Sequence, residues 1–420
     1  MPATRAGCSS TNWRSCAMAT KRTEMRRMLD DGLADTTPYP LGLEVERAEG
    51  LFIHLTDGRR VADLVSGVGV SSFGHNHPEI IEAIHQQVDR HLHTMVYGEF
   101  RQSAQVEAAA ALRKLLPAPL DAIYFVNSGA EAVEGALKLA KRLTRRSRLV
   151  AVEGGYHGNT AGALSVSSNA ARKAPFLPLL PEVTIAPWNV MKTLDFIDET
   201  TAAVILETVQ GDAGIRIPDA AWLQAIRNRC TETGTLLILD EIQAGMGRTG
   251  QPFAFSHFGV EPDILCLGKA LGGGMPVGAF VASAERMAEL SHAPKLGHIT
   301  TFGGHPVCCA AAAKACELLA DQNWDIIETR GQRVEAELRT MPHVQAVRRL
   351  GYFIAVELDS PDRVQQAVDA ALARGLLIFY FLSVPHAFRL APPMTISDDE
   401  IDWSLQELRN TLENLGKPGN

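Results

Sequence analysis

The sequence predicts an α/β protein with a mostly parallel central sheet in a large domain and a smaller α+β domain. Beyond Gln105, short apolar segments alternate with helical patterns, which is typical of strands joined by crossover helices. After Pro306 the alternation of short strands and helices gives way to longer helical patterns with a few strands between them. At 420 residues the chain has the length of about two to three domains.

The predicted strands of the central sheet are short and apolar throughout. Strands of this kind are buried on both faces, as they are inside a parallel sheet. They are residues 122–126, 149–152, 203–206, 236–239, 264–267 and 278–281. Helical patterns separate several of them, for example at residues 222–233.

The composition is that of an ordinary globular protein, with 46% hydrophobic and 21% charged residues. A net charge of −8 argues against a nucleic-acid or anionic-membrane partner, and no apolar run is long enough to span a bilayer. The seven cysteines contain no C-x-x-C pair, which disfavours both a disulfide framework and a structural zinc site. These features favour a reducing, cytoplasmic location.

Residues 1–28 differ from the rest of the chain. They contain five Arg and one Lys but a single acid, Glu24. Such a segment is typical of a disordered tail, an organellar transit peptide or an extended start before Met18, Met25 or Met28. We exclude it from the fold prediction, and organellar import remains an alternative to the cytoplasm.

The segment after this tail predicts a small antiparallel meander over residues 44–64. A helix carrying His85, His91 and His93 is expected to follow. A metal site is one interpretation of these histidines, but they lack an H-E-x-x-H pair, and we favour surface and turn positions.

The smaller domain is predicted from its helices and two strands. A helical run through Leu318 precedes strands at 353–358 and 376–381, and a helix begins at Ser360-Pro361. A final helix starts with a capping box formed by Ser397 and Glu400. We therefore expect an N-terminal segment at 29–85 packed with the small domain, a large domain at 86–305 and the small domain at 306–420.

An acid and a lysine follow two of the predicted strands. Segment 236–239 ends on Asp240, and segment 264–267 is followed by Lys269 and the glycines at 272–274. Lysine amines form Schiff bases with aldehydes, and pyridoxal phosphate enzymes place an acid against the pyridine nitrogen. This pair therefore predicts a pyridoxal phosphate site. The alternative is a loop-capping aspartate and an exposed surface lysine.

A phosphate site is predicted where a strand leads into a helix. Ser128, Gly129 and Ala130 open that helix, whose first amides and positive dipole end attract an anion. The turn is neither G-x-x-x-x-G-K-[ST] nor G-x-G-x-x-G, so nucleotide-binding interpretations are weaker. An ordinary capped helix is the alternative.

Six motifs, in order along residues 40–415, together resemble the class III pyridoxal-phosphate-dependent aminotransferases of the acetylornithine and ornithine type. They are Asn127-Ser128-Gly129-Ala130-Glu131-Ala132, Tyr156-His157-Gly158, Glu207-Thr208-Val209-Gln210-Gly211, Asp240-Glu241-Ile242-Gln243 with Gly247-Arg248-Thr249-Gly250, Lys269 with Gly272-Gly273-Gly274, and Thr300-Thr301-Phe302-Gly303-Gly304. The resemblance implies the fold type I of pyridoxal phosphate enzymes.

The resemblance also implies roles for individual residues. Lys269 and Asp240 would carry catalysis, Tyr156 would stack on the cofactor ring, and Gln243 would bond its phenolic oxygen. Thr301 is similar to a threonine that reaches the phosphate of the neighbouring subunit, which implies a homodimer with shared active sites; alternatively it only ends a loop. The full set of implied pyridoxal 5'-phosphate contacts is Ser128, Gly129, Ala130, Tyr156, His157, Glu207, Asp240, Gln243, Lys269 and Thr301.

Substrate contacts follow from the same resemblance, with departures. Arg389 resembles the arginine that pairs with a substrate carboxylate, and Asp212 occupies the position of a glutamate that shields it. Asn159 replaces the arginine expected for a second carboxylate, and Val68 replaces a tyrosine typical of ornithine-specific members. Candidates to compensate for the missing arginine are Arg101, Arg172 and Lys173.

These features predict transfer of an amino group from an amino acid or ω-amine to a keto acid, with 2-oxoglutarate as the expected acceptor. The same scaffold supports racemases, aminomutases and decarboxylases, which remain the rival class. A binding protein that retains the scaffold is disfavoured, because Lys269, Asp240 and Gln243 are all present.

Overall fold

The computed structural model of the protein describes residues 32–34, 36–37 and 40–416. The tail predicted at 1–28 lies outside these residues. The chain divides into two units, one of Met1–Arg47 and His54–Arg59, the other of Ala48–Ile53 and Arg60–Asn420. In the described part of the first unit, the backbone N–H of Thr56 donates to the carbonyl oxygen of Glu44.

The strands follow the chain in this order: β1 (Val45–Glu49), β2 (Phe52–Leu55), β3 (Arg60–Asp63), β4 (Ala122–Val126), β5 (Arg148–Val152), β6 (Val183–Ala186), β7 (Thr201–Glu207), β8 (Leu236–Asp240), β9 (Ile264–Leu267), β10 (Gly278–Ala282), β11 (Val344–Leu350), β12 (Phe353–Leu358), β13 (Leu376–Leu377), β14 (Phe379–Tyr380) and β15 (Ala387–Leu390). The three strands expected between residues 44 and 64 are present as β1, β2 and β3.

A seven-stranded sheet of order β4-β10-β9-β8-β7-β5-β6 forms the centre of the larger unit. The neighbours β6, β5, β7, β8 and β9 run parallel, whereas β10 is antiparallel to both β9 and β4. The prediction of a mostly parallel central sheet is therefore confirmed. Strand β6 was not predicted, because this edge strand is only partly buried and its sequence pattern is weak.

The α-helices are Pro78–Arg90, Ser103–Arg113, Gly129–Thr144, Ala161–Val166, Ala170–Lys173, Ala220–Thr233, Ala284–Ala288, Pro306–Ala320, Trp324–Arg339, Pro361–Ala373 and Asp398–Glu413. Residues Ser66–Gly69 form a single tight turn in which every φ is positive. Short 3₁₀ helices occupy Ala174–Phe176, Met191–Phe196, Ala254–Phe258, Lys269–Gly272 and Glu289–Ser291. Among the residues that the structure describes, no helix is both long and apolar enough to cross a bilayer.

Helix Gly129–Thr144 packs on the central sheet through small and branched side chains. Val133, Ala136 and Ala140 are fully buried in one cluster with Phe280 of β10. Gly135 lies directly against the Phe280 ring and leaves no space for a Cβ atom. This close packing fixes the N-terminus of the helix beside the carboxyl ends of the central strands.

The C-terminal part contains a four-stranded antiparallel sheet of order β11-β12-β15-β14. The single strand predicted at 376–381 is wrong in one respect, because it breaks into β13 and β14. Strand β13 pairs in parallel with β3, whereas β14 pairs with β15. One straight strand cannot pair with β3 and with β15 at the same time, so the segment breaks at Ile378. The sequence pattern does not show where this break falls.

The histidine-bearing helix is shorter than predicted. It ends at Arg90, so that His85 lies within it whereas His91 is its C-cap residue and His93 follows it. At His91 the backbone is extended. The capping box predicted for the last helix is present, since Ser397 and Glu400 each accept a hydrogen bond from the other's backbone N–H.

Candidate active site

Three neighbouring parallel strands end at the same edge of the central sheet. Glu207 at the end of β7 is in register with Asp240 at the end of β8, and Asp240 is in register with Cys266 of β9. Gly268 and Lys269 follow β9 directly. The edge therefore brings two carboxylates and one amine together, as the carboxyl ends of parallel strands do in ligand-binding α/β sheets.

Lys269 occupies a backbone conformation that few side chains adopt, with φ of 48°. Its neighbour Gly268 packs closely on Gly129, since a Cβ on Gly268 would lie 3.4 Å from the Gly129 Cα. The Lys269 side chain is partly buried. Burial lowers the pKa of Lys269 to about 8, against the opposing effect of the Asp240 and Glu207 carboxylates. About a fifth of this amine is therefore neutral near pH 7.4, against about a thousandth for an ordinary lysine.

Asp240 is nearly inaccessible to solvent and is held from two sides. Its Oδ2 lies 2.7 Å from Nδ1 of His157, and its Oδ1 accepts the backbone N–H of Ile242 at 3.0 Å. His157 is itself fixed, because its backbone N–H donates to Ser167 Oγ at 2.9 Å. The other ring nitrogen of His157, Nε2, is buried without a partner.

Glu207 joins two loops that border the site. Its carboxylate accepts the backbone N–H of Tyr156 at 2.9 Å and that of Gly211 at 2.8 Å. Burial raises the pKa of Glu207 to about 7, with a further contribution from nearby Asp240. The sequence resemblance assigned Glu207 only a cofactor contact, whereas in the structure it orders the Tyr156 loop.

The ring of Tyr156 is half-buried above this edge, and burial raises the pKa of its hydroxyl. The guanidinium carbon of Arg172 lies 5.8 Å from the ring centroid. Among the described residues Arg172 has no ion-pair partner within 4.0 Å, whereas Lys173 donates to the carbonyl oxygens of Ser165 and Ser167 at 2.9 and 3.1 Å. Of the three candidates to replace the missing arginine, Arg172 is the one that faces Tyr156.

Ser128 is the N-cap of helix Gly129–Thr144, and its Oγ accepts the backbone N–H of Glu131 at 3.2 Å. The Glu131 carboxylate in turn accepts the backbone and side-chain N–H groups of Asn127 at 2.7 and 2.8 Å. The first amides of the helix, at Gly129 and Ala130, have no carbonyl of their own helix to bind. This turn can therefore hold an anion.

Gly129 is where the helix start meets the Asp240 loop. A Cβ on Gly129 would lie 2.8 Å from Cδ1 of Ile242, so only glycine permits this approach. The anion-binding turn and the Asp240 carboxylate thus lie on neighbouring segments. A cofactor that carries a phosphate at one end and a ring nitrogen at the other could contact both segments.

Gln243 and Val68 lie on segments that border Lys269. The amide of Gln243 fills the space that a Cβ on Gly211 would need. A Cβ on Gly69 would lie 3.7 Å from Cγ of Gln243 and 3.9 Å from Cδ of Lys269. Val68, the residue before Gly69, is 43% exposed and has φ of 65°.

Thr301 is exposed, and its carbonyl oxygen lies 3.0 Å from Nε2 of His93. Within the described part of this single chain, no hydrogen bond or ion pair joins Thr301 to Lys269, Asp240 or Ser128. The described contacts tie Asp240 to His157 and Glu207 to the Tyr156 backbone, and they include no such contact for Thr301.

Arg389 lies in β15 and is 5% exposed. Its Nη2 is 3.5 Å from Oδ1 of Asp212, and its Nε is buried without a partner. The guanidinium carbon lies 4.6 Å from the Phe381 ring centroid, and burial lowers the pKa of Arg389. Such a buried and incompletely paired guanidinium is suited to a carboxylate that arrives with a substrate.

The residues at this edge fit pyridoxal 5'-phosphate. Lys269 supplies a partly neutral amine, Asp240 a buried acid, and the Ser128 turn a set of free amides. The unpartnered Nε2 of His157 and Nε of Arg389 show that the polar groups are not all satisfied by the protein itself. No group of three or more His, Cys, Asp and Glu side chains among the described residues could hold a metal ion.

Comparisons with known proteins agree with this geometry. Residues 34–412 match the family model described as aminotransferase class-III. An acetylornithine aminotransferase of Methanopyrus kandleri is 40% identical over 375 residues, which are 88% of this chain and 94% of the relative.

Two solved structures are also similar. An ornithine aminotransferase of Toxoplasma gondii, whose active site holds pyridoxal phosphate at partial occupancy, is 27% identical with a TM-score of 0.84 and covers 97% of this chain and 98% of its own. A transaminase of the marine bacterium Virgibacillus, 21% identical with a TM-score of 0.85, covers 94% of this chain and 98% of its own, and shows the same fold.

Proposed function

The chain belongs to the class III aminotransferases, and from this premise we propose that it transfers an amino group from an amino acid or ω-amine to a keto acid, using pyridoxal 5'-phosphate. The observation that carries the proposal is the convergence of Lys269, Asp240 and the Ser128 turn at one edge of the sheet. The preferred donor that we propose is of the acetylornithine or ornithine type, and the acceptor is 2-oxoglutarate.

Pyridoxal phosphate supplies an aldehyde that captures amines and a protonated ring that accepts electrons from the substrate carbon. Ser128, Gly129 and Ala130 would hold its phosphate through the hydroxyl and the free amides of the helix start. Tyr156 would cover one face of the ring, because its backbone is tied to Glu207. Gln243 would reach the phenolic oxygen from the segment beside Lys269.

Lys269 would hold the cofactor through its amine, and this amine would lie beside the reacting carbon once a substrate amine has taken its place. Since its pKa is about 8, the released amine is neutral often enough to accept a proton from that carbon. The same amine could return the proton at a neighbouring atom, so Lys269 would serve as both base and acid; hydrolysis and a second half-reaction with the keto acid would then be needed to complete the transfer. Its attachment to the turn after β9 keeps it within reach of both positions.

Asp240 would face the pyridine nitrogen and keep that nitrogen protonated. The contact with His157 orients the Asp240 carboxylate, since Nδ1 of His157 lies 2.7 Å from Oδ2. The Ile242 backbone N–H, which donates to Oδ1, holds it from the other side. Asp240 would thus stabilise positive charge on the ring nitrogen while Lys269 takes the proton.

Arg389 would bind the carboxylate of the keto acid acceptor. Its free donors allow a two-point contact, which a carboxylate at one end of 2-oxoglutarate can accept. Replacing Arg389 by Ala should raise the KM for 2-oxoglutarate by about tenfold or more, since a buried charged hydrogen bond contributes about 1.5–3 kcal/mol. An unchanged KM would reject this role.

Arg172 would bind the far carboxylate of the donor in place of the arginine that Asn159 replaces. It faces Tyr156 from a short helix and has no ion-pair partner in the described part of the chain. Replacing Arg172 by Ala should raise the KM for N-acetylornithine while the KM for a diamine without a carboxylate stays the same. Lys173, which is bound to two backbone carbonyls, is the control, and an equal effect of both changes would contradict the assignment.

We also propose a homodimer with shared active sites, in which Thr301 contacts the phosphate held by the neighbouring subunit. The exposure of Thr301 supports this proposal. A Thr301→Ala variant that remains dimeric should retain its cofactor less well. Measurement of mass in solution, together with cofactor content, tests both parts.

We extend the proposal to the domain division and the location. The central sheet and the antiparallel β11-β12-β15-β14 sheet support a large domain at 86–305 and a small one at 306–420. Five described cysteines are buried as free thiols, which supports a reducing cytoplasm. Limited proteolysis and localisation of a tagged chain test these two points.

The experiment that decides the reaction class is a half-reaction. An aminotransferase converts its bound pyridoxal phosphate to the pyridoxamine form with an amino donor alone, whereas a racemase or decarboxylase turns over without a keto acid. A panel of amino donors, each assayed with 2-oxoglutarate and with pyruvate, then identifies the substrates. Absence of the pyridoxamine form with every donor would overturn the proposal.

A further inference from the structure

The Asp212 carboxylate is held mainly by partners other than Arg389. Its Oδ2 accepts the Ser383 hydroxyl at 2.7 Å, and its Oδ1 accepts the Leu382 backbone N–H at 3.2 Å. Its contact with Arg389 is a single one, at 3.5 Å. Charge-assisted bonds between guanidinium and carboxylate groups are usually about 2.7–2.9 Å long. The strongest bond of Asp212 is therefore the one to Ser383.

Arg389 is correspondingly short of partners. Its side chain is 6% exposed, its Nε has no acceptor, and its flat face lies over the Phe381 ring. A buried guanidinium with one long contact is stabilised less than one in a two-point ion pair. A substrate carboxylate therefore stabilises Arg389 more than it would stabilise an arginine that already forms a two-point ion pair with a neighbouring carboxylate.

Chain length and loop position explain why Asp212 stays apart. Asp212 follows Gly211, whose backbone N–H is fixed by Glu207, so the start of its side chain cannot shift freely. Its short side chain reaches the loop between β14 and β15, where Ser383 and Leu382 offer two donors side by side. Without the serine hydroxyl, Arg389 becomes the strongest donor within reach.

We propose that Ser383 is a positioning residue that holds Asp212 away from Arg389 and so keeps the arginine open for substrate carboxylates. This inference rests on the proposed function of Arg389 and deepens it. It assigns to the site a preference for acceptors and donors with a carboxylate at the Arg389 end, over amines that present an uncharged or positive group there. Loss of the Ser383 hydroxyl should convert the open arginine into a closed ion pair.

Binding of glutarate to the pyridoxal phosphate form of the enzyme tests this directly. Glutarate carries two carboxylates and no keto or amino group, so that it occupies the site without reacting. Calorimetric titration should show about tenfold weaker binding to Ser383→Ala than to the wild-type protein, because Asp212 then competes for Arg389. Ser383→Thr, which keeps the hydroxyl, should bind glutarate within about twofold of wild type.

A double change separates positioning from a direct contact. If Ser383 acts through Asp212, the Asp212→Ala/Ser383→Ala variant should bind glutarate at least as tightly as wild type. In steady-state assays Ser383→Ala should raise the KM for 2-oxoglutarate, leave kcat within about twofold and not raise the KM for a diamine donor. The exposed Ser291, far along the chain, provides a matched Ser→Ala control.

The outcomes are distinguishable. If Arg389→Ala weakens glutarate binding and Ser383→Ala does not, the positioning role is wrong and the carboxylate site stands. The positioning role is also wrong if the double variant binds as weakly as Ser383→Ala. If Arg389→Ala binds glutarate as wild type does, the proposed carboxylate site is wrong, and the inference about Ser383 is lost with it.

Discussion

Nδ1 of His157 lies 2.7 Å from Oδ2 of Asp240, in a part of the site where both side chains are nearly inaccessible to solvent. Asp240 ends a central strand, whereas His157 belongs to the loop that Glu207 anchors. The contact therefore connects the sheet edge to the loop that carries Tyr156. It also fixes the direction in which the free edge of the carboxylate points.

Replacing His157 by Ala should lower kcat/KM by about ten- to a hundredfold, because a buried hydrogen bond to a charged group is worth about 1.5–3 kcal/mol. Steady-state kinetics of the fully loaded enzyme provides the measurement. A His157→Gln variant, which keeps an N–H donor, should lose less. Equal losses in both variants would show that the ring fills space and does not act through Asp240.

Replacing Lys269 by Ala should abolish turnover, because among the residues that the structure describes no other lysine directly follows a strand at this edge. Reduction with borohydride followed by mass spectrometry should then find no cofactor attached to the protein. The exposed Lys192 supplies the matched control, and Lys192→Ala should keep both activity and attachment. Full activity of Lys269→Ala would contradict the proposed chemistry.

Replacing Ser128 by Ala should weaken retention of pyridoxal phosphate and lower the free energy of unfolding by about 1 kcal/mol, the usual contribution of a helix N-cap. Equilibrium dialysis measures the first effect and denaturant unfolding of the apoprotein the second. Ser128→Thr keeps the capping oxygen and should preserve stability. A loss of stability with unchanged cofactor affinity would leave Ser128 as a cap alone.

The rate at which the apoprotein takes up pyridoxal phosphate should depend on pH with a midpoint near 8. Only the neutral amine attacks an aldehyde, and burial lowers the pKa of Lys269 to about 8. The rate should therefore rise about tenfold per pH unit below that value and level off above it. Stopped-flow absorbance follows the reaction.

The Asp240→Asn variant provides the control for this pH dependence. The Asp240 carboxylate raises the pKa of Lys269, so its removal should move the midpoint to lower pH. A rate that still rises steeply at pH 10 in the wild-type protein would be inconsistent with a buried amine.

Replacing Glu241 by Gln should destabilise the fold by about 1–3 kcal/mol, because an amide oxygen cannot replace both carboxylate oxygens. The Glu241 carboxylate is fully buried and accepts the Thr208 hydroxyl at 2.8 Å and the backbone N–H groups of Ala254 and Phe255 at 2.7 Å each. Thermal unfolding monitored by circular dichroism checks the change. Thr208→Val, which removes one donor only, should cost less.

The central strands and the start of the proposed phosphate-binding helix could be predicted from the sequence alone. Buried parallel strands require continuous apolar runs, so β7, β8 and β9 stand out, and a polar residue that ends such a run, as Asp240 does, marks the ligand-binding edge. The helix start at Ser128 was recognisable because capping and anion binding use the same few residue types. These signals are local, so a single sequence contains them.

The tertiary structure alone decided what depends on distant partners. It divided residues 376–381 between two sheets, ended a helix before His91, placed Arg172 over Tyr156, and tied Asp212 to Ser383. No local pattern distinguishes Ser383 from any other loop serine, because its partner lies 171 residues away along the chain. The hydrogen-bond donor that a buried carboxylate contacts depends on how whole helices and strands pack, so it is fixed only in the folded chain.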